Sequence, residues 1–198
     1  NGSSRRTRRA LFQYRPIAKR CFSSCWCRRS QYHYRKNAAL YNLARPLLFG
    51  LDPERAHELT LSALEAGVYP RPATPDDPFL TTRAWGLTLS NPLGMAAGYD
   101  KDARVPDALL DMGLGHVEVG TVTPRPQSGN PHPRLFRLVH DRALINRLGF
   151  NNGGHAATLA RLRQRRRVGI VGVNVGANRD AADRAADYVA GVRAFYDV

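Results

Sequence analysis

Three short apolar segments constrain the fold of this chain more than any other feature of its sequence. They begin near residues 93, 116 and 168, and segments with helical periodicity lie between and after them. Apolar runs of strand length that are separated by helices of roughly ten to fifteen residues predict βαβ units and a parallel sheet. The sequence therefore predicts an α/β fold over residues 84–198.

The periodicity predicts the individual elements of this body. Helix 103–112 should turn Val105, Leu109 and Met112 inward, and the polar residues His140 and Asp141 should form a turn between two strand-like pieces. The predicted strands are 87–90, 93–97, 116–120, 134–139, 143–145 and 168–175, and the predicted helices are 103–112, 154–165 and 181–195.

Two short amphipathic helices are predicted within residues 38–70, ahead of the body. The first has an apolar stripe through Leu40, Leu43, Ala44, Leu47 and Leu48, with Pro46 expected to kink it or to start a second turn. The second should begin at the N-cap Asp52, with Pro53 in its first turn, and end near Gly67; its expected apolar face is Ala56, Leu59, Ala63 and Leu64.

These two helices allow two interpretations. They could pack on the domain that follows, or they could attach to a membrane interface, with Arg45 and Arg55 near lipid phosphates. A proline-rich connector, residues 71–83, then leads to the body. No apolar run of about 18–20 residues predicts a transmembrane helix.

The charge of the chain is concentrated in its first 37 residues. The net charge is +14, of which residues 1–37 carry nine Arg, two Lys and no acidic residue; residues 38–198 carry 19 basic and 16 acidic side chains. The leader fits a disordered, self-repelling tail, a mitochondrial transit peptide, a nucleic-acid tail, or upstream sequence wrongly joined to the gene. Its Cys21, Cys25 and Cys27 lack a second ligand pair, so no metal site is predicted.

Polar, glycine-containing loops follow each of the three apolar strands: 98–102, 120–123 and 174–178. In a (β/α)8 barrel, and in a doubly wound sheet, the active site is built at this end of the strands. No Gly-x-Gly-x-x-Gly follows the first strand and no P-loop is present, which disfavours the nucleotide-binding versions. A barrel needs about 250 residues, so we expect residues 84–198 to be the first part of an incomplete one.

Four groups in these loops could carry chemistry. Lys101 could hold a carboxylate or the electron-rich side of a flavin, or be a solvated loop lysine. The stretch 146–152 could read amide edges of a ring, or be ordinary turn sequence. Asn174, inside an apolar strand, needs partners and could meet a ligand or a core amide. Thr121 and Thr123, at the end of the second strand, are weak signals on their own. No nucleophile–base set and no metal-ligand spacing is present in residues 38–198.

Six motifs, in one order along residues 38–198, resemble the membrane-associated, quinone-dependent (class 2) dihydroorotate dehydrogenases. The two-helix extension is typical of this class and absent from the soluble one. The matching segments are 51–57, 91–102, 118–127, 133–137, 145–152 and 173–178.

The resemblance implies the N-terminal part of a TIM (β/α)8 barrel, preceded by a small two-helix domain, that binds FMN. It implies oxidation of dihydroorotate to orotate in pyrimidine (UMP) biosynthesis, with electrons passed to a membrane quinone. It also implies peripheral association with the cytoplasmic side of the bacterial inner membrane, or with the mitochondrial inner membrane, and a monomer that binds no nucleic acid.

The resemblance also assigns roles to residues. Lys101 matches the lysine that meets the substrate carboxylate, and Asn146, Arg147, Leu148, Gly149 and Phe150 match the substrate-binding loop. Ala97, Gly98, Tyr99, Asp100, Lys101, Thr121 and Asn174 match FMN contacts, and helices 38–66 match the quinone tunnel. The family's catalytic serine lies in an Asn-x-Ser-Ser-Pro-Asn-Thr loop that is expected after Val198, so the 198-residue polypeptide alone is expected to be inactive.

Two alternatives stay open. A related FMN barrel could oxidise another dihydropyrimidine or use a soluble electron acceptor. A non-enzymatic interpretation takes the basic leader as the functional part, which would bind nucleic acid with a steep salt dependence.

Overall fold

The computed structural model describes residues 42–198. The basic leader predicted at 1–37, with its three cysteines, and Leu40 of the first amphipathic stripe lie outside the described residues. The chain divides into two units after Gly50. In the first unit, residues 42–50 form helix α1, which continues through Pro46, and the side chains of Leu43 and Leu47 are 77% and 78% exposed.

Helix α2, Pro53–Glu65, begins where its capping sequence predicts. The Asp52 carboxylate accepts hydrogen bonds from the backbone N–H groups of Glu54 and Arg55 at 3.0 and 3.1 Å, and Pro53 occupies the first turn. The helix buries Ala56, Leu61 and Leu64.

The predicted apolar face of α2 was wrong at Leu59, which is exposed, and it omitted Leu61, which is buried. Leu61 and Leu64 lie in the main hydrophobic cluster of the second unit together with Val105 and Leu109, and α2 contacts helix α3 (Pro106–Asp111). Helix α2 is therefore packed on the body through the face that carries Leu61 and Leu64.

A parallel three-stranded sheet forms the centre of the second unit. Its strands are β3 (Gly94–Met95), β4 (His116–Val122) and β7 (Ile170–Val175), in the order β3-β4-β7. Helix α3 connects β3 to β4, and helix α4 (Gly154–Gln164) precedes β7. The strands follow one another in chain order without reversal, as in a (β/α)8 barrel and unlike a doubly wound sheet.

Two antiparallel hairpins and a last helix complete the unit. Strands β1 (Thr82–Ala84) and β2 (Leu87–Leu89) pair with each other, and so do β5 (Leu135–Leu138) and β6 (Ala143–Asn146). A single 3-10 turn, Pro78–Leu80, precedes β1, which begins within the segment predicted to be an extended connector. Helix α5, Arg184–Phe195, follows β7.

The core lies on the outer face of the sheet, against the helices. Val117, Val119 and Val122 of β4 are fully buried, and Leu109 of α3 and Leu162 of α4 are buried as well. Burial of this apolar face is the main favourable term that holds the helices to the sheet.

Met112, predicted to face this core, is 38% exposed. Helix α3 ends at Asp111, so Met112 is the residue that terminates it and no longer follows the helical period. By contrast Val105 and Leu109 are buried as predicted.

An irregularity in β4 decides which side chains face inward. Gly120 is paired with Asn174 and Val122 with Val175, so Thr121 is an extra residue between two paired positions. Strict alternation would turn Thr121 outward with Val117 and Val119. The extra residue instead turns Thr121 inward and returns Val122 to the buried outer face.

Candidate active site

The inner face of the sheet carries a chain of polar side chains. The Thr121 hydroxyl donates to Oδ1 of Asn174 at 2.7 Å, and Nδ2 of Asn174 donates to the Glu118 carboxylate at 2.9 Å. This chain leaves one hydrogen of the Asn174 amide and a lone pair of the Thr121 hydroxyl available, because neither atom has another partner among the described residues. The free amide hydrogen of Asn174 and the free lone pair of Thr121 both lie near the carboxyl ends of their strands.

These two residues line a cavity of about 410 Å³. Gly149 and Phe150, from the loop after β6, form part of its wall, and the loop after β7 forms another part. The structure therefore brings the two residues that the resemblance assigns to FMN, Thr121 and Asn174, to the same cavity as two that it assigns to the substrate, Gly149 and Phe150. The lining also includes Gln127, Asn130, Val175, Gly176, Ala177, Asn178, Arg179, Arg184 and Tyr188.

The loop that follows β6, residues 146–150, is held by backbone contacts with residues 127–134; we call it the substrate loop. The Asn130 N–H donates to the Leu148 carbonyl at 2.9 Å, and the Arg147 N–H donates to the Arg134 carbonyl at 2.8 Å. Gly149 has a φ of +76°, and a Cβ there would lie 2.9 Å from Asn130, so glycine is required at this turn.

A buried network of amides and a hydroxyl lies beneath this loop. Thr123, Asn152 and Asn178 are all buried. Asn152 joins the loop to the end of β4, and Nδ2 of Asn178 donates to the Thr123 hydroxyl at 3.2 Å and to the Arg125 carbonyl at 2.9 Å. Because every member is hydrogen-bonded, the network fixes the loops after β4, β6 and β7 relative to one another.

Sequence reasoning missed Asn178 as a structural residue and treated Thr123 as a weak signal. Asn178 is hydrogen-bonded to Thr123 and to Arg125, which precede it by 55 and 53 residues in the sequence. The one sequence signal was the density of Asn residues in two loops, which does not identify partners.

The turn after β3 places Gly98 at an open position. Gly98 has a φ of +107°, and its N–H donates to the Gly120 carbonyl at 2.8 Å. Apart from its two chain neighbours, no described residue has an atom within 4 Å of where its Cβ would be. A side chain here would be strained by the backbone, and glycine leaves the neighbouring space free. The adjacent Ala97 is half-buried.

Asp100 and Tyr99 use their side chains within the fold. Asp100 is fully buried, and its carboxylate accepts from the N–H groups of Arg104 and Val105 at 2.8 and 2.7 Å, just before α3. Burial raises the pKa of this carboxyl, against the lowering effect of those hydrogen bonds. The Tyr99 hydroxyl donates to Thr60 of α2 at 3.2 Å. Asp100 could therefore contact a ligand only through its backbone, whereas Tyr99 also lines the larger cavity described next.

Lys101 lines a second, larger cavity of about 840 Å³ between α2 and the segment 127–135. It is half-buried, forms no hydrogen bond or ion pair with the described residues, and is the single lysine in residues 38–198. Burial lowers the pKa of its ammonium, while the carboxylate of Glu54 acts in the opposite direction. An ammonium without a partner in a partly buried cavity is suited to an anionic ligand.

A buried ion pair forms the far wall of this larger cavity. Arg134, 6% exposed, donates to the Glu54 carboxylate of α2 and to the carbonyls of Ser128 and Asn130, at 2.6 and 3.0 Å for the two carbonyls. Hydrogen bonding from Arg134 holds the pKa of Glu54 below its ordinary value, and His132, 2.9 Å from the same carboxylate, contributes. The pair ties the start of α2 to the segment that holds the substrate loop.

Three predicted residues of the substrate loop line neither cavity, and Ala97, Gly98 and Asp100 line neither cavity as well. Asn146 is exposed at the end of β6, Leu148 contributes its carbonyl to the backbone contacts described above, and neither residue lines the two cavities. The Arg147 guanidinium donates to the Pro133 carbonyl at 2.9 Å. The structure thus brings Thr121, Asn174, Gly149 and Phe150 to one cavity and Tyr99 and Lys101 to the other, with Gln127 lining both.

The donor set of the smaller cavity fits a flavin. The isoalloxazine ring presents both N–H and carbonyl groups along its pyrimidine edge, and Asn174 and Thr121 together offer a free donor and a free acceptor. The open Gly98 turn allows a flat ring to approach the backbone. No three His, Cys, Asp or Glu side chains in residues 42–198 are arranged to hold a metal ion.

Comparison with known proteins identifies similar sequences over most of the chain. A family model described as dihydroorotate dehydrogenase matches residues 79–198. The dihydroorotate dehydrogenase (quinone) of Rhizobium meliloti is 61% identical over 159 residues, which are 80% of this chain and 44% of that protein. The protein of the same name from Brucella anthropi is 61% identical over 157 residues, 79% of this chain and 43% of that protein. The chain therefore spans less than half the length of these relatives.

Solved structures give the same result for the fold. The crystal structure of the Eimeria tenella enzyme in complex with ferulenol superposes with a TM-score of 0.68 at 41% identity, covering 74% of this chain and 43% of that one. The ligand-free Eimeria tenella structure gives a TM-score of 0.67 at 43% identity, over 71% and 41% of the two chains. The prediction of an N-terminal part of a TIM barrel is confirmed.

Proposed function

The chain belongs to the dihydroorotate dehydrogenase family, and we propose that it supplies part of the active site of a quinone-dependent enzyme that oxidises dihydroorotate to orotate. The observation that carries the proposal is the hydrogen-bonded chain Thr121–Asn174–Glu118 at the strand ends, beside Gly149 and Phe150 of the substrate loop. The shared name of the bacterial relatives supports both the substrate and the quinone acceptor.

FMN is the cofactor that we propose for the smaller cavity. Asn174 would donate its free amide hydrogen to the ring, and the Thr121 hydroxyl would accept. Ala97 and the open Gly98 turn, which is hydrogen-bonded to Gly120 of β4, would contribute backbone surface beside them. Bound there, FMN would supply the two-electron redox chemistry that links oxidation of the substrate to reduction of the quinone. The hydrogen bond to Glu118 keeps the Asn174 amide in one orientation, so its free donor is already aimed before a ligand arrives.

Lys101 is the residue that we propose for the substrate carboxylate. Its ammonium has no partner among the described residues, and partial burial strengthens its attraction for an anion. The substrate loop 146–150 would hold the ring of the substrate, with Asn146 free to rotate because its side chain forms no hydrogen bond within the described chain. Arg147 would act through the backbone that it stabilises.

Joining the chain to the rest of a relative tests this proposal. We define the completed enzyme as the chain followed by the part of the Rhizobium meliloti protein that lies after the matched 159 residues. It should bind about one flavin per polypeptide and reduce a soluble ubiquinone analogue with dihydroorotate. The 198-residue polypeptide alone should purify without flavin, because its three parallel strands leave open edges and supply part of a flavin shell.

Flavin absorbance and steady-state assays are the readouts. Failure of the completed enzyme to oxidise dihydroorotate would contradict the proposed substrate. Equal rates with fumarate or NAD in place of the quinone analogue would favour the soluble-acceptor alternative. A yellow 198-residue polypeptide with stoichiometric flavin would contradict the expectation that it purifies without flavin.

We propose in addition that the helices ahead of the body attach the enzyme to the surface of a membrane. None of the described helices is long and apolar enough to cross one. Leu43 and Leu47 on α1 and Leu59 on α2 are exposed leucines, and Arg45 and Arg55 are exposed on the same two helices. Exposed leucines next to arginines are typical of interfacial attachment.

Vesicle flotation tests the attachment. In the completed enzyme, the double variant Leu43→Glu/Leu47→Glu should lower the fraction bound to anionic phospholipid vesicles at least tenfold, since each leucine contributes roughly 1.5–3 kcal/mol when it leaves water. Val139→Glu, at an exposed residue of the β5–β6 hairpin, is the matched control and should float like the parent. Equal flotation of the double variant and the control would exclude α1 as the attachment.

A further inference from the structure

Gln127 lines both cavities, yet neither the motifs nor the strand ends assigned it a role. It follows β4 in the loop that leads to the β5–β6 hairpin, and it is half-buried. Its backbone forms two hydrogen bonds of 3.1 Å with the backbone of Asn152, one in each direction. The main chain of Gln127 is thereby fixed, so its side chain starts from a defined position.

All four hydrogen-bonding positions of the Gln127 amide are used. Nε2 donates to the carbonyls of Gly149 and Phe150 at 3.2 and 3.1 Å. Oε1 accepts from Nδ2 of Asn178 at 3.1 Å and from the backbone N–H of Arg179 at 3.2 Å. One side chain thus connects the substrate loop with residues 176–179, the loop that follows Asn174; we call the latter the β7 loop.

The orientation of this amide is determined by backbone groups. Gly149 and Phe150 present carbonyl oxygens, which can accept only, and the Arg179 N–H can donate only. An amide rotated by 180° would place its oxygen against two carbonyls and its NH2 group against an N–H. Only a group with two donors at one end and an acceptor of two hydrogen bonds at the other satisfies the site.

We propose that Gln127 is a positioning residue that sets the distance between the substrate loop and the β7 loop. The inference rests on the proposed function, in which the substrate loop holds dihydroorotate and the β7 loop extends from the Asn174 that meets the flavin. Gln127 spans these two loops at the cavity that they share. It therefore fixes where the substrate lies relative to the ring.

Gln127→Glu in the completed enzyme tests this role. The glutamate keeps the length of the side chain and both acceptor positions toward Asn178 and Arg179. It loses both donors, and its carboxylate faces the carbonyl oxygens of Gly149 and Phe150, which repels the substrate loop. The KM for dihydroorotate should rise at least tenfold, whereas flavin content and the KM for the quinone analogue should stay within twofold of the parent.

Hydrogen exchange gives a readout that does not depend on turnover. The backbone amides of residues 147–152 should exchange faster in Gln127→Glu, and those of β4 should not change. Gln164→Glu is the matched control, because Gln164 is exposed at the end of α4 and its side chain forms no hydrogen bond with the described residues. It should match the parent in every measurement.

The outcomes are distinguishable. An inactive parent overturns the proposed function and with it the role of Gln127. If the parent is active and Gln127→Glu is unchanged, the positioning role alone is overturned. The same holds if the variant loses flavin or raises both KM values equally, because that is the result expected for general destabilisation. Should Gln127→Glu fail to fold, Gln127→Asn is judged by the same comparison of KM values, because it keeps the amide on a side chain one methylene shorter.

Discussion

Replacement of Lys101 by methionine should lower kcat/KM for dihydroorotate by about two to three orders of magnitude in the completed enzyme. Methionine keeps most of the length and the apolar stem of the side chain and removes the charge. Losing one member of a partly buried charge pair costs roughly 3–4 kcal/mol, and each 1.4 kcal/mol is a factor of ten. Because Lys101 has no partner among the described residues, its removal leaves no buried carboxylate unpaired, and stability should change little.

The pH dependence of the KM gives the control for Lys101. A carboxylate binds the protonated ammonium, so the KM for dihydroorotate should rise as the pH passes upward through the lysine pKa. Burial lowers that pKa from its ordinary 10.5, so the rise should begin below this pH. The Lys101→Arg variant should bind dihydroorotate weakly, since a guanidinium has a different shape from an ammonium. Its KM should not rise with pH, because the arginine stays protonated. If the KM of Lys101→Arg rose at alkaline pH in the same way, the rise would be caused by the titration of a group other than Lys101.

The second large effect is on stability and concerns two neighbouring asparagines. Asn152→Ala should lower the free energy of unfolding of the completed enzyme by about 3 kcal/mol. Oδ1 of Asn152 accepts from the N–H groups of Thr123 and Gly154 at 3.2 and 2.8 Å, and Nδ2 donates to the Thr123 hydroxyl and the Phe150 carbonyl at 2.9 and 2.8 Å. Each buried group left without a partner costs roughly 1–3 kcal/mol.

Asn151 provides a control one residue away. Its Oδ1 is buried and has no hydrogen-bond partner, and its side chain forms no hydrogen bond with the described residues. Asn151→Ala removes an unsatisfied acceptor, so the free energy of unfolding should change by less than about 0.5 kcal/mol or increase. Urea denaturation of both variants measures the difference. Equal losses for Asn151 and Asn152 would mean that the amide network is not what holds the loop.

The sequence predicted the order of the elements because each depends on local pattern. Asp52 and Pro53 mark the start of α2, and the apolar run at 170–175 is long enough to be recognised as a strand. Strand β1 has three residues and no pattern of its own, since its pairing with β2 is what defines it. Leu59 and Met112 were misassigned because the surroundings of a helix, and the residue at which it ends, decide which part of its surface is buried.

The candidate site was predictable as a location but not as a set of side-chain contacts. Parallel strands bring their carboxyl ends to one edge, so the convergence of Thr121 and Asn174 follows from topology. No local pattern shows that the Asp100 carboxylate accepts hydrogen bonds from the backbone just before α3. Nor does a local pattern show that Gln127 joins residues 149 and 179, because both contacts depend on the tertiary structure. Amide side chains in loops are ambiguous in this way because they donate and accept equally well.

The extra residue in β4 also separates the chemistry of the strand from its packing. Point substitutions can alter the chemistry of the inner face of β4 without disturbing the packing of Val117, Val119 and Val122. Deletion of Thr121 would restore strict alternation and keep Val122 in the helix layer, but it would remove the hydroxyl that bonds to Asn174. The extra residue therefore adds a hydroxyl to the inner face of β4 without changing which valines pack against the helices.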